Sequence, residues 1–414
     1  MKKILFIVHR IPYPPNKGDK IRTFNELKYL SKNNIVDVIC LADQKEDLQY
    51  VKELQKYCRN LQCFSLCGLC AKVRGLLALL GGRSLTSRYF YLGKMQSAID
   101  HVLMTDNYDA VLCFSSSMAE YIFHSRTLKH LSTPPKTVMD FCDIDSDKWG
   151  QYAEDSRFPL SNLYRLEQQL LRHYECRIQK SFDGTIVISA GEAEHFKQYC
   201  HDLSLLKIIS NGVDLNFFKP GAGYPVLSKP HPGIVFTGAM DYNVNIQGVL
   251  WFVRNVWPDL RQKHPDLELY IVGSNPVAEI GNLGGLSGIT VTGFVEDIRS
   301  YYELADICIA PLHMGRGVQN KVLEAMAMSK AIVSTSRANA GIQGQPDQHL
   351  LIADNIEEFG NAISDLLSNP EKRSLLAQNA RQFVVENYDW DTNMRELERL
   401  LLPEFAETSG EEVS

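Results

Sequence analysis

The chain has 414 residues, of which 45% are hydrophobic and 22% charged, and at roughly 150 residues per domain it has room for two or three domains. This composition excludes a disordered, collagen-like or disulfide-stapled chain. The net charge of −6 argues against nucleic acid as a partner. No apolar run approaches the roughly 20 residues of a membrane span, and the N-terminal run 4–8 is too short for a signal peptide. We therefore expect a cytoplasmic protein, either free or peripheral on the inner face of the cell membrane.

Apolar, β-rich runs alternate with helical patterns along the whole chain. In the first half, the predicted strands are 3–8, 35–41, 61–66, 110–114, 137–141, 184–188 and 207–209. In the second half, they are 234–237, 268–272, 289–292, 307–310, 331–334 and 350–352. The predicted helices include 21–30, 245–263, 296–304 and 318–329. This alternation is typical of parallel sheets covered by helices on both faces.

The alternation breaks between 211 and 233, where Pro and Gly are too frequent for a regular element. We therefore predict an α/β protein of two doubly wound Rossmann-like domains, 1–213 and 214–388, that face each other across a cleft. Residues 389–414 follow as a helix, a candidate to pack back on the first domain, and an acidic tail. Because ligands bind such sheets at the carboxyl ends of their strands, the cleft would have one wall for each of two substrates.

The loop after the first predicted strand, residues 9–20, contains Gly18 and leads into a helix. Backbone amides at that helix start, aided by Lys17, Lys20 and Arg22, suit a phosphate group. A solvent-exposed, Pro-rich turn explains the same residues equally well, so the sequence alone leaves both explanations open.

A second Gly-flanked loop opens a helix directly before the predicted strand 331–334. Arg316 and Gly317 lie in this loop, and Lys321 and Glu324 follow it. Cations at a helix N-terminus suit a diphosphate, and a carboxylate three residues beyond Lys321, on the same helix face, can accept hydrogen bonds from a ribose diol. The combination favours a nucleoside diphosphate, while a solvated helix start with a routine Lys–Glu pair is the competing explanation.

Several short stretches follow one another in a specific order between residues 210 and 390. They include 210–214 (SNGVD), 236–238 (FTG), 271–273 (IVG), 291–297 (VTGFVED), 321–333 and 388–390 (YDW). Together they resemble the nucleotide-sugar half of glycosyltransferase family 4, which is retaining and of the GT-B architecture. The first half resembles a narrower branch, the sugar transferases of bacterial exopolysaccharide and PEP-CTERM protein-sorting clusters, through 9–15 (HRIPYPP), 18–19 (GD) and 140–149 (DFCDIDSDKW).

The resemblance implies a donor site and also a departure from the family pattern. Glu324 matches the second glutamate of the family's E-x7-E signature, which usually holds the donor ribose, whereas Arg316 replaces the first glutamate. The family's usual Arg and Lys after the first strand of the second domain are missing near Met240 and Asn245. We therefore expect Arg316 and Lys321 to supply the missing positive charge. The donor-binding candidates are Gly18, Gly238, Arg316, Gly317, Lys321 and Glu324.

An acid-rich loop follows the predicted strand that ends near residue 141. In many relatives a His at this strand end contacts the donor sugar. This chain has no His there, and Asp140 and Asp143 occupy the neighbourhood, so these two acids are the catalytic candidates. The spacing of Asp143, Asp145 and Asp147 also matches a D-x-D-x-D metal loop, but the Gly and distal Glu of a calcium loop are missing. Helix capping is therefore the favoured explanation for some of these acids.

Three cysteines, Cys63, Cys67 and Cys70, have a spacing that could hold an iron–sulfur cluster. No Gly-rich second half of a radical enzyme follows them, and cysteine also serves as a small hydrophobic residue. We therefore expect no metal and no cofactor besides the nucleotide diphosphate sugar as co-substrate.

The aliphatic run 76–80 is flanked by the basic residues Lys72, Arg74, Arg83 and Arg88. Such a segment could lie on an anionic bilayer surface. An ordinary half-buried helix with a basic edge is the favoured explanation.

These patterns predict a retaining, hexosyl-type glycosyltransferase. It would move a sugar from a nucleotide diphosphate sugar to a hydroxyl of a glycan or lipid-linked glycan acceptor, in exopolysaccharide or other surface-glycan synthesis. The second domain would hold the nucleotide and the first the acceptor. The alternatives are a non-catalytic GT-B subunit that binds sugar or nucleotide, and a GT-B epimerase.

Overall fold

The computed structural model describes residues 1–15, 17–42, 44–221, 223–225, 227, 231–314 and 317–403. The chain forms two compact units. Unit 1 comprises Met1–Ile209 and the described C-terminal residues 391–403, and unit 2 comprises Ser210–Trp390. The predicted domain boundaries lie at 213/214 and 388/389.

Unit 1 is built on a parallel sheet whose order is β3-β2-β1-β4-β5-β6-β7. Its strands are β1 (Lys3–Val8), β2 (Ile35–Ala42), β3 (Asn60–Ser65), β4 (Ala110–Phe114), β5 (Lys136–Asp140), β6 (Gly184–Val187) and β7 (Leu206–Ile208). Its helices are α1 (Gly18–Leu30), α2 (Val51–Leu54), α3 (Gly68–Leu80), α4 (Leu85–Tyr89), α5 (Gly93–Thr105), α6 (Ala119–Phe123), α7 (Asp145–Asp155), α8 (Leu160–Ser181) and α9 (Ala190–Lys197).

Unit 2 is built on a second parallel sheet, whose order is β10-β9-β8-β11-β12-β13. Its strands are β8 (Gly233–Thr237), β9 (Glu268–Val272), β10 (Ile289–Gly293), β11 (Ile307–Ala310), β12 (Ala331–Ser334) and β13 (Leu351–Ile352). Its helices are α10 (Asn243–Asn255), α11 (Trp257–Lys263), α12 (Ala278–Gly281), α13 (Arg299–Leu304), α14 (Asn320–Ala327), α15 (Ser336–Asn339), α16 (Ile356–Ser368) and α17 (Pro370–Asn387).

The last helix, α18 (Trp390–Leu401), belongs to unit 1 from Asp391 onward. There the amide nitrogen Nδ2 of Asn34 donates to Glu398 Oε1 over 2.6 Å. Within the described residues, no helix is both long enough and apolar enough to cross a membrane.

The predicted strands agree with the observed strands to within one residue at each end. The central strands are buried along their whole length, as in β4 and β11. Strands that are covered on both faces carry continuous apolar runs, which is the signal that the sequence offered. The α/β class with two doubly wound Rossmann-like sheets is confirmed.

The predicted helix 245–263 is wrong in one respect, because the structure has two helices there. Helix α10 ends at Asn255 and α11 begins at Trp257. Pro258 lies in the first turn of α11, where its missing N–H leaves no helical hydrogen bond unmade. Further inside a continuous helix the same proline would break that hydrogen bonding.

Each sheet reverses its strand order at one point, between β1 and β4 in unit 1 and between β8 and β11 in unit 2. Ligands of open α/β sheets bind outside the carboxyl ends of the strands at such points. The residues that follow β8 and β11 are therefore the first place to look for a site in unit 2.

Two glycines allow the ends of β8 and β9 to lie unusually close together. Gly273 has φ +154°, and a Cβ atom at this position would lie 1.7 Å from the carbonyl oxygen of Gly238. Only a residue without a side chain fits there, so the backbone after β8 takes its path because position 273 is glycine.

We predict that Gly273→Ala lowers the free energy of unfolding by about 2–5 kcal/mol, because overpacking and an unfavourable φ add. Gly281→Ala is the matched control, since Gly281 is helical and its Cβ would meet nothing within 4 Å. Urea unfolding of both variants checks this. Equal stability of the two variants would contradict the packing described for Gly273.

Candidate functional site

The carboxyl ends of β8 and β11 are occupied by Gly238 and by two charged side chains of α14, Lys321 and Glu324. Gly238 has φ +150°, and a Cβ atom there would lie 2.6 Å from Asn245 Nδ2 and 3.2 Å from Lys321 Nζ. Glycine at 238 therefore leaves the room that these two side chains fill. The structure brings together three of the predicted donor-binding residues.

The Lys321 ammonium is held by neutral groups. It donates to Asn245 Oδ1, and Nζ lies 4.4 Å from the centroid of the Phe236 ring. The Asn245 amide is itself fixed, because its Nδ2 donates to the carbonyl oxygen of Ala239 over 2.8 Å. Burial lowers the pKa of Lys321 to about 7, although the nearby Glu324 carboxylate opposes this shift. The ammonium is thus close to losing its proton at neutral pH.

The Glu324 carboxylate is positioned by a buried tyrosine. The Tyr302 hydroxyl donates to Glu324 Oε2 over 2.8 Å and lies 2.8 Å from the Thr237 hydroxyl. Burial raises the pKa of the Glu324 carboxyl, while Tyr302 and Lys321 act in the opposite direction. Among the described residues, Glu324 Oε1 has no hydrogen-bond partner. One carboxylate oxygen is therefore fixed and the other is available to a ligand.

The loop before α14 contains Gly317, whose carbonyl oxygen accepts a hydrogen bond from Gln319 Nε2 over 3.2 Å. The same glycine packs on Gly341, where a Cβ atom would lie 2.7 Å from the Gly317 carbonyl carbon. Gln319 is the N-cap residue of α14, and its side chain makes no capping hydrogen bond. The predicted phosphate-binding Arg316 lies outside the described residues.

In unit 1, the predicted catalytic Asp140 ends β5 and is fully buried. Its Oδ2 accepts hydrogen bonds from Arg22 Nε (2.7 Å) and Nη2 (2.6 Å), and its Oδ1 accepts one from the Cys142 amide (2.7 Å). Glu26 Oε1 lies 3.3 Å from Arg22 Nε, and burial together with Asp140 raises the pKa of Glu26. This geometry makes Asp140 the counter-ion of a buried arginine, and its catalytic role stays a prediction.

The expectation that Lys20 and Arg22 assist a phosphate at the start of α1 is wrong. Arg22 is fully buried against Asp140, and Lys20 is buried with its Nζ 2.6 Å from Asp47 Oδ2. Gly18 begins α1, and a Cβ atom there would meet nothing within 4 Å. The donor-binding role of Gly18 therefore stays a prediction, now without these two cations.

The second catalytic candidate, Asp143, is part-exposed, with its Oδ2 2.8 Å from Lys148 Nζ. Asp145 accepts a hydrogen bond from Ser116 Oγ, and Asp147 Oδ1 lies 3.3 Å from His195 Nε2. Lys148 Nζ also lies 3.8 Å from Asp145 Oδ1, so Asp143 and Asp145 share this cation while Asp147 pairs with His195. Asp145 and Asp147 lie in the first turn of α7, where a negative charge complements the helix dipole.

The cysteine cluster does not come together either. Cys63 Sγ lies 3.3 Å from Cys40 Sγ on the neighbouring strand, whereas Cys67 and Cys70 contact each other, with their Sγ atoms 3.1 Å apart. In the part of the chain that the structure describes, no group of three His, Cys, Asp or Glu side chains could hold a metal ion.

The sequence analysis includes His9 only as part of the motif 9–15 and does not predict its contact with Asp19 at the strand-order reversal of unit 1. His9 directly follows β1, and its Nε2 lies 3.4 Å from Asp19 Oδ2. Burial opposes ionisation of Asp19, but His9 and Arg10 hold the pKa of this carboxyl well below its usual range. The position of His9 directly after a predicted strand was the available signal.

Residues 231–369 match the model of the family described as glycosyl transferases group 1. Unit 2 carries a glycosyl transferase group 1 domain. Lys321 and Glu324 lie inside the matched residues, and so do the strand ends that surround them.

The whole chain is also similar to known proteins. It is 24% identical to an uncharacterized 44.6 kDa protein in the cps region of Klebsiella pneumoniae, over 94% of this chain and 97% of that protein. Sucrose-phosphate synthase from Thermosynechococcus elongatus has a similar structure, with a TM-score of 0.71 and 16% identity, over 98% of this chain and 100% of the other. The structure of Anabaena HepE in complex with UDP gives a TM-score of 0.66 and 15% identity, over 99% and 100%. These likenesses show the GT-B fold.

We predict that Asp140→Ala lowers the free energy of unfolding by about 3–5 kcal/mol, because it leaves the Arg22 charge buried without its counter-ion. Asp143→Ala is the matched control and is expected to change it by less than about 1 kcal/mol, since its pairing with Lys148 is solvent-exposed. Chemical denaturation measures both. Wild-type stability in Asp140→Ala would show that the Arg22 pairing is not structural.

Proposed function

We propose that the chain is a retaining glycosyltransferase that moves a hexosyl group from a nucleotide diphosphate sugar to an acceptor hydroxyl. The observation that carries this proposal is the cluster of Gly238, Lys321 and Glu324 at the strand-order reversal of a glycosyl transferase group 1 domain. The retaining outcome rests on the resemblance to glycosyltransferase family 4.

The diphosphate would bind to Lys321 and to the first-turn amides of α14. Charge builds up on the leaving diphosphate as the bond to the sugar breaks, and a fixed ammonium stabilises that charge. Asn245 holds the ammonium in place before the donor arrives, so little reorganisation is needed. Arg316, five residues before Lys321 in the sequence, is the second cation that we propose for the diphosphate. The charge of the leaving group is then met by side chains and amides, without a cofactor.

The donor ribose would bind to Glu324. Its Oε2 is occupied by the Tyr302 hydroxyl, which leaves Oε1 to accept from a ribose hydroxyl. A hydrogen bond between a carboxylate and a hydroxyl contributes about 1.5–3 kcal/mol. Gly317, in the loop before α14, would let the chain pass close to the nucleotide.

Unit 1 would bind the acceptor, a glycan or lipid-linked glycan, on the cytoplasmic side of the membrane. The relative from the cps region of Klebsiella pneumoniae supports a role in exopolysaccharide or other surface-glycan synthesis. The UDP in the Anabaena structure supports a nucleotide sugar as the donor. Asp143 is the part-exposed acid that we propose to face the transferred sugar or the acceptor, and Gly18 would lie at the donor.

Binding of a nucleoside diphosphate is expected to depend on pH through Lys321. The free ammonium has a pKa of about 7, and a bound diphosphate raises that pKa, because it favours the charged form. Binding therefore takes up a proton, and affinity falls by up to about 50-fold between pH 7 and pH 9 as the free side chain loses its proton. Calorimetry with UDP, in buffers of different ionisation enthalpy, measures both the affinity and the proton uptake.

The control for this measurement is Lys321→Arg, which keeps its charge throughout this range. Its affinity for UDP should be nearly constant from pH 7 to pH 9. A wild-type affinity that is equally constant would contradict the assignment of Lys321 to the diphosphate.

The donor is identified by thermal unfolding with a panel of nucleotide diphosphate sugars, because a ligand that binds the folded chain raises its Tm with concentration. We expect Glu324→Ala to lower the affinity for the donor identified in this way by about ten- to a hundredfold, because one hydrogen bond is lost. Glu279→Ala, which removes an exposed carboxylate from the same unit, is the matched control. Equal affinity in the two variants would overturn the role of Glu324.

Transfer itself is tested with the identified donor and a glycan acceptor. Release of nucleoside diphosphate together with a product of the donor's anomeric configuration, read from the proton coupling constant by NMR, supports the proposal. A nucleotide sugar changed only at one ring carbon would indicate an epimerase, and donor binding without any turnover would indicate a binding subunit. Either result overturns the proposed transfer reaction.

A further inference from the structure

Helix α3 turns a stripe of large aliphatic side chains toward solvent. The side chains of the stripe are between 51% and 87% exposed, and they are Leu69, Val73, Leu76, Leu77 and Leu80. Their spacing of 4, 3, 1 and 3 residues places them on one face of the helix. We call this face the α3 stripe.

The opposite face of α3 is fastened to unit 1 by small residues. Ala71 and Gly75 are buried, and a Cβ atom on Gly75 would lie only 2.9 Å from Leu85 Cγ. The Arg74 guanidinium donates to the carbonyl oxygens of Arg88 and Tyr89, each over 2.7 Å. The helix is therefore half-buried, as expected, but it is its small residues that are buried, and its large aliphatic residues are held outward.

The sequence around the α3 stripe is basic, although Lys56, Arg59 and Arg88 are paired with acidic residues outside this segment. Between Glu53 and Asp100 the sequence has no acidic residue, whereas the whole chain has a net charge of −6. The basic residues of this segment are Lys56, Arg59, Lys72, Arg74, Arg83, Arg88 and Lys94. Lys72 on the helix and Arg83 just beyond its end are exposed. An apolar helix face with cations beside it is complementary to a surface that has an anionic outer layer and an apolar interior.

We propose that the α3 stripe docks unit 1 onto an anionic lipid bilayer. The leucines would enter the boundary between headgroups and acyl chains, as the apolar face of an interfacial helix does. Lys72 and Arg83 would contact lipid phosphates, and basic residues near an anionic membrane surface each add to the attraction. A second copy of the chain fits less well, because two basic segments would meet and repel each other.

This surface is independent of the proposed transferase reaction, since it uses residues of unit 1 that take no part in donor binding. It is tested by flotation of the full chain with vesicles of phosphatidylcholine, with and without phosphatidylglycerol. We expect binding to the anionic vesicles, much weaker binding to the neutral ones, and a loss of binding at high salt, because salt screens exposed charges.

The double variant Leu77→Gln, Leu80→Gln should lower partition onto anionic vesicles at least tenfold, because two leucines no longer leave water for the bilayer. Lys72→Gln and Arg83→Gln should each lower it about fivefold. Met104→Gln, at an equally exposed apolar residue on α5 of the same unit, is the matched control and should not change it. Circular dichroism verifies folding, and Leu69→Gln with Val73→Gln replaces the first pair if that pair unfolds.

Three results would overturn the proposal. One is the absence of vesicle binding by the wild-type chain, and another is equal binding to neutral and anionic vesicles. The third is self-association in sedimentation velocity that Leu77→Gln, Leu80→Gln abolishes while vesicle binding stays unchanged. That outcome would make the α3 stripe an interface between copies of the chain.

Discussion

The candidate site of unit 2 depends on a half-buried ammonium that, among the described residues, has no carboxylate in direct contact. Transfer of a charge out of water is unfavourable unless partners compensate for the lost hydration. The Lys321 ammonium contacts a neutral amide oxygen of Asn245 and the face of the Phe236 ring. These neutral groups do not fully compensate for the lost hydration, and the pKa of Lys321 is therefore lowered to about 7. A bound anion would compensate for the remaining lost hydration. The lack of a side chain at Gly238 is what makes the arrangement sterically possible.

The buried charge of unit 1 is compensated in the opposite way. Arg22 lies against Asp140, which takes two of its N–H groups, and Glu26 lies within 3.3 Å. Asp140 uses its other oxygen on a backbone amide. A charge with this many partners would be stabilised little further by a ligand. Removal of a partner, however, leaves a buried charge that is not fully compensated. The two centres therefore differ in chemistry: the Lys321 ammonium is held by a neutral amide oxygen and an aromatic ring, whereas the Arg22 guanidinium is held by a carboxylate.

The sequence predicted those features that local patterns determine. Continuous apolar runs marked the strands because both faces of the central strands are buried, and the start of α14 marked Lys321 and Glu324. Asn245 and Tyr302 were not predictable, because they lie 76 and 22 residues from their partners and only tertiary packing joins them. Arg22 illustrates the same limit of prediction. A basic residue after a glycine-containing loop has the same sequence pattern whether it binds a phosphate or pairs with a buried aspartate.

Helix α3 shows that periodicity locates a helix without telling which face is buried. Close approach of Leu85 is possible only at Gly75, so packing selects the face with small residues and leaves the leucines outside. An outward apolar face is unfavourable in water unless something covers it. The distribution of charge along the sequence supports an anionic partner for this face, because residues 54–99 carry a net charge of +7 and the remaining sequence carries −13. In the proposed docking, an anionic surface would attract the first part and repel the second, which would favour an orientation with α3 toward the lipid.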